Sequence, residues 1–78
     1  MCRIMAQKLP RLKPAEVLHI LQHHGFVNVS SKGSHMKWRN LVTGYQVIVP
    51  FHAGKELPLG TLQSIIEGSR IPEEDFHN

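Results

Sequence analysis

The stretch 32–39, Lys-Gly-Ser-His-Met-Lys-Trp-Arg, gathers one imidazole and three cations within eight residues. Its alternation of polar and apolar types is that of a strand, whose successive side chains point to opposite faces. Ser34, Met36 and Trp38 then share one face, and His35, Lys37 and Arg39 share the other. Neighbours in that row stand about 7 Å apart at the rise of a strand. Such a row suits phosphodiester cleavage: the cations hold the phosphate and the histidine accepts a proton from a 2′-hydroxyl near neutral pH. The same pattern is also read as a solvated strand face carrying a chance histidine, and alternation alone does not separate the two.

Lys32-Gly33-Ser34 precedes His35 directly. Gly33 permits a tight turn and the close approach of a ligand backbone, while Ser34 and nearby N–H groups can bind a phosphate oxygen. A plain hairpin turn accounts for these residues equally well. His52, after Pro50-Phe51, is either a second imidazole or phosphate contact, or a residue capping a loop. His19 and His23 have the i, i+4 spacing that can hold a metal, but no Cys or carboxylate cluster accompanies them, which favours a solvated helix end. The run Glu73-Glu74-Asp75 fits solvation or the start of a helical turn better than acid–base chemistry. Trp38 and Tyr45 offer rings for stacking on bases, although its register assigns Trp38 to the core.

These side chains need a frame, and the chain supplies five elements. Residues 14–24 read as a helix: Pro14 suits the first turn, Glu16 the positive helix end, and Val17, Leu18 and Leu21 form an apolar stripe ended by Gly25. Residues 26–31, 34–41 and 45–51 read as strands separated by short turns, hence as an antiparallel meander. A second helix begins at 58 or 60 and runs to 68, with Leu62, Ile65 and Ile66 inward. A further turn at 72–76 folds Phe76 onto the core. The order α-β-β-β-α predicts an α+β fold, a three-stranded antiparallel sheet with both helices on one face.

With 78 residues the chain has room for one small core, expected as a single domain over residues 9–78 behind a flexible tail, 1–8, that contains the lone Cys2. One cysteine forms no internal disulfide, which fits a reducing cytoplasm. No apolar run approaches the length of a membrane span, and no secretory leader is indicated. Nine Lys and Arg stand against six Asp and Glu. Residues 1–55 hold eight of those bases and one acid, Glu16. The body of the domain is therefore basic, which makes an anionic partner such as nucleic acid plausible.

Four segments, taken together, are similar to one family: His-His-Gly-Phe (23–26), Lys-Gly-Ser-His (32–35), Val-Ile-Val-Pro-Phe-His (47–52) and Lys-Glu-Leu-Pro-Leu-Gly-Thr-Leu-Gln-Ser-Ile (55–65). Their order and spacing resemble the HicA toxins, also called the YcfA-like family, over residues 9–77. The resemblance implies a fold like that of a double-stranded-RNA-binding domain. It also implies a metal-independent endoribonuclease that cleaves messenger RNA with the histidine of Gly-Ser-His, here His35. The implied partner is a HicB-like antitoxin that covers this histidine, and the free toxin is expected as a monomer without a cofactor. On this reading Lys32, Gly33, Ser34, Lys37, Arg39 and His52 contact RNA. A noncatalytic RNA-binding module, or a degenerate toxin that only binds its antitoxin, would share the same fold and basic face. The family often begins close to the first helix, so the resemblance gives residues 1–8 no role.

Overall fold

The computed structural model describes residues 9–77; the expected tail and Cys2 lie outside them. The elements are α1 (Pro14–His23), β1 (Phe26–Lys32), β2 (His35–Asn40), β3 (Gln46–Pro50) and α2 (Leu59–Ser69), followed by a 3₁₀ turn, Glu73–Phe76. The strands form one antiparallel sheet in the order β1-β2-β3. The α-β-β-β-α order and meander expected from the sequence are both present.

Helix α1 starts where Pro14 cannot donate, and the Glu16 carboxylate reaches back to accept the Lys13 N–H at 2.8 Å. That contact satisfies one of the donors a helix start leaves open. At the other end Gly25 takes φ +90° and turns the chain into β1. Asn40, the last residue of β2, ties this corner down. Its amide donates to the His24 carbonyl at 3.0 Å, and its side-chain oxygen accepts the N–H groups of Val42 and Thr43. One side chain thus fixes both the end of α1 and the β2–β3 turn.

Both helices bury their apolar stripes on the same side of the sheet. Val17 and Leu21 of α1 and Leu62, Ile65 and Ile66 of α2 meet Phe26, Trp38, Val47 and Val49 in one core. Trp38 is 4% exposed, so it is unavailable for stacking on bases; its Nε1 is buried with no hydrogen-bond partner among the described residues. Helix α2 runs one residue past the expected end at Gly68. Gly68 does not stop the helix; it lets β3 come close, because a Cβ there would lie 3.1 Å from Val47 Cγ1. The helix is closed by Arg70 at φ +62° instead, and the buried Ser69 hydroxyl accepts the Ile71 N–H at 3.2 Å.

Phe76, 1% exposed, closes the bottom of this core from the 3₁₀ turn, as expected. The turn is also linked to α1 by His24 Nε2 and Asp75 Oδ2, 3.3 Å apart. Two acids of the C-terminal run, Glu73 and Asp75, are therefore partnered by His77 and His24. Truncation of Phe76 to Ala leaves a cavity, and the expected cost is about 3–5 kcal/mol. Urea unfolding of Phe76→Ala checks this, and a loss well under 1 kcal/mol would show that the turn is not part of the core.

Candidate active site

Among the described residues the second face of the sheet carries no helix, and the basic row lies on it. In β2 the observed burial alternates as the pattern required: Trp38 is buried and Met36 packs against the core, while His35 and Arg39 are exposed and Lys37 half-buried. The pairing then brings in groups from both neighbours. Lys32 of β1 stands opposite His35, and Ser30 opposite Lys37. On the other side Pro50 pairs with His35, Ile48 with Lys37, and Gln46 with Arg39. Residues paired across antiparallel strands share a face. Ser30, Lys32, His35, Lys37 and Ile48 accordingly line one open depression of about 480 Å³.

Among the described residues the His35 ring has no hydrogen-bond or ion-pair partner, which leaves both ring nitrogens open to an incoming group. Lys32 and Lys37 flank it, one across the strand pair and one along the strand. Neither lysine has an ion-pair partner among the described residues, so an anion that bridges them relieves their mutual repulsion. Arg39 is different. Its Nε and Nη2 both donate to Gln46 Oε1, at 3.1 and 2.8 Å, and it does not line the depression. It lies further along the same row with its guanidinium already oriented.

Gly33 and Ser34 form the two-residue turn between β1 and β2. Gly33 has φ +60° and Ser34 does not share the positive φ, the pattern of a type II′ hairpin turn. Ser34 was expected within the strand; it lies in the turn, half-buried, and its carbonyl accepts the Phe51 N–H at 2.6 Å. That bond joins the β1–β2 turn to the end of β3. His52 follows at once but is exposed on a loop, outside the residues that line the depression. The sequence pattern therefore brings Lys32, His35 and Lys37 together and leaves Arg39 and His52 at the margins.

Two lining residues were not anticipated. Ile48 sits in an almost unbroken apolar run, and it is 47% exposed on the open face. Its alternation with Val47 and Val49 was the available signal. Ser30 carried no such signal, because β1 contains an extra residue that shifts its register. The histidines of α1 form no comparable site: among the described residues no group of three or more His, Cys, Asp or Glu is arranged to hold a metal. Tyr45 stays 40% exposed, with the Arg70 guanidinium carbon 5.1 Å from its ring centroid.

Residues 14–71, from the start of α1 to just past α2, match the family model described as HicA toxin of bacterial toxin-antitoxin. The chain belongs to the HicA toxin family. A comparison with curated proteins finds no match. The family assignment makes the chain a toxin-antitoxin toxin, and such a toxin has an antitoxin for a partner. The matched segment of this HicA toxin contains every residue that lines the depression, together with both hairpin turns. No helix among the described residues is long and apolar enough to cross a membrane.

The turn at Gly33 gives a direct check on how this face is held. A Cβ at Gly33 would meet nothing within 4 Å, so any penalty for a side chain is backbone strain alone. Gly33→Ala is expected to lose about 1–2 kcal/mol of stability. Chemical denaturation of the variant measures it, and an unchanged midpoint would contradict the strained turn.

Proposed function

We propose that this toxin is a metal-independent endoribonuclease that cleaves messenger RNA, with His35 as the general base. The observation that supports this most directly is the pairing of Lys32 with His35 beside Lys37 on an uncovered sheet face. Lys32 and Lys37 hold the scissile phosphate, and Arg39 and the N–H groups of the Gly33-Ser34 turn hold its neighbours. His35 takes the proton of the 2′-hydroxyl, whose oxygen attacks phosphorus. The bond to the 5′ oxygen breaks, giving a 2′,3′-cyclic phosphate and a 5′-hydroxyl end. The departing oxygen takes its proton from His52 or from solvent, and replacing His52 decides between them. Two fixed cations beside the reacting phosphate stabilise the charge that builds up there, so one histidine suffices for a slow enzyme.

The partner on this reading is a HicB-like antitoxin that silences the toxin in the cytoplasm by covering the His35 face. That face is the one large sheet surface the two helices leave open.

The test is incubation of the parent and His35→Ala with RNA in EDTA. The parent is expected to cleave and to leave cyclic phosphate ends, and the variant to be slower by about 10²–10⁴-fold, the usual contribution of a general base. Equal rates, or a strict need of the parent for metal, would overturn the mechanism. RNA retained equally by both with no product from either would point to a binding module instead.

Salt dependence tests the cations separately. Each of Lys32→Ala and Lys37→Ala is expected to lower the slope of log affinity against log salt for single-stranded RNA by about 0.7. An unchanged slope in both variants would remove these lysines from the phosphate contact.

A further inference from the structure

Strand β1 has seven residues and pairs with the six of β2. Each end of the pair is fixed by a separate demand. At one end Phe26, 2% exposed, belongs to the core and stands opposite Asn40, which is bonded to the His24 carbonyl. At the other end the Gly33-Ser34 turn sets Lys32 against His35. Residues 26 and 32 are separated by an even number, so a regular strand would put both on the same face. They lie on opposite faces, because Phe26 pairs with an inward residue of β2 and Lys32 with an outward one.

The extra residue is Val29. Asn28 pairs with Trp38 and Ser30 with Lys37, and the register shifts between them. This β-bulge inverts the alternation for the rest of β1. It carries Ser30 and Lys32 onto the His35 face, where a regular continuation from Phe26 would have put Val29 and Ser31. A bulge interrupts ladder hydrogen bonds, and here one side chain replaces them. The Asn28 amide donates to the carbonyls of Ser30 and Lys37, both at 3.1 Å, and its oxygen accepts the Ser31 hydroxyl at 3.4 Å. Ser30 and Lys37 are the first pair beyond the bulge, so the amide clasps the two strands where the site begins.

We propose that Asn28 is a positioning residue of this toxin: by clamping the bulge at Val29 it turns Ser30 and Lys32 to the face where His35 acts on RNA. The proposal rests on the nuclease reading for its consequence, though not for its geometry. Asn28 touches no substrate; it acts through Lys32 and Ser30. Ser30 in turn becomes an RNA contact, its hydroxyl lying beside Lys37 in the depression.

The experiment uses the full chain in four forms: the parent, Asn28→Ala, a deletion of Val29, and the two changes combined. Deletion of Val29 leaves six residues against six, a regular strand that satisfies Phe26 and Lys32 together and makes the clamp unnecessary. Asn28→Ala alone is expected to raise KM for a short single-stranded RNA by about tenfold, short of the roughly hundredfold that a misplacement of about 1 Å can cost. The combined variant is expected to recover KM to within about twofold to threefold of the deletion, a spread typical of independent sites. Should Asn28→Ala not fold, recovery of folding and of parental KM in the combined variant carries the same support.

An Asn28→Ala chain with parental KM would overturn the proposal. So would a combined variant that folds but keeps the raised KM, since Asn28 would then matter for something other than the bulge. Cross-strand NOEs pairing Ser31 with Met36 report the register independently of activity. If the parent neither binds nor cleaves RNA, the nuclease reading fails, while loss of those NOEs in Asn28→Ala and their return in the combined variant still decide whether Asn28 holds the bulge.

Discussion

The meander is organised around a mismatch of one residue between its first two strands. Phe26 is demanded by the core and Lys32 by the outer face, and no regular strand satisfies both. The bulge at Val29 resolves this conflict locally, with the Asn28 amide replacing the ladder bonds it breaks. Everything built on the open face depends on that solution. The pairing of Lys32 with His35, the place of Ser30 and the shape of the depression would all change if the register slipped by one.

The rest of the domain holds the strand ends that the bulge reconciles. His24 caps the end of helix α1, and Asn40 binds its carbonyl, so the inner end of the β1–β2 pair is tied to the helix corner. At the outer end the Gly33-Ser34 turn is linked to β3 through Ser34 and Phe51. Both helices pack on the Trp38 side, and α2 comes close to β3 because Gly68 has no side chain. The opposite face is left to cations, one histidine and a few exposed apolar residues. Among the described residues neither Lys32 nor Lys37 is paired with a carboxylate; Glu73 and Asp75 of the C-terminal acidic run are engaged with histidines on the terminal turn and at the end of α1. A basic sheet face, open among the described residues and with an imidazole that none of them partners at its centre, is suited to an anionic polymer, and equally to a protein partner that masks it.

Much of this was legible in the chain. Proline and glycine marked the helix ends, the apolar stripes of α1 and α2 gave their inward faces, and the short turns implied a meander. Alternation along β2 separated Trp38 from His35 and Lys37 because that strand is regular from end to end. Three features were not legible, each for a physical reason. Gly68 reads as a stop signal, but it is a close contact with Val47, which depends on where β3 lies. Ile48 lies in a continuous apolar run, and which side of that run is open depends on both helices packing against the other face of the sheet. Ser30 shares the parity of Phe26, and the bulge reverses the face that parity would give it.

By itself, then, the sequence determined the order of elements, the inward faces of the two helices and the row His35, Lys37, Arg39, since each depends only on local periodicity. Tertiary structure decided which residues join that row from the neighbouring strands. Strand register depends on what anchors the two ends of a pair, Phe26 in the core and Gly33 in the turn; local alternation carries a face from one end to the other only along a regular strand, and it does not reveal the extra residue at Val29.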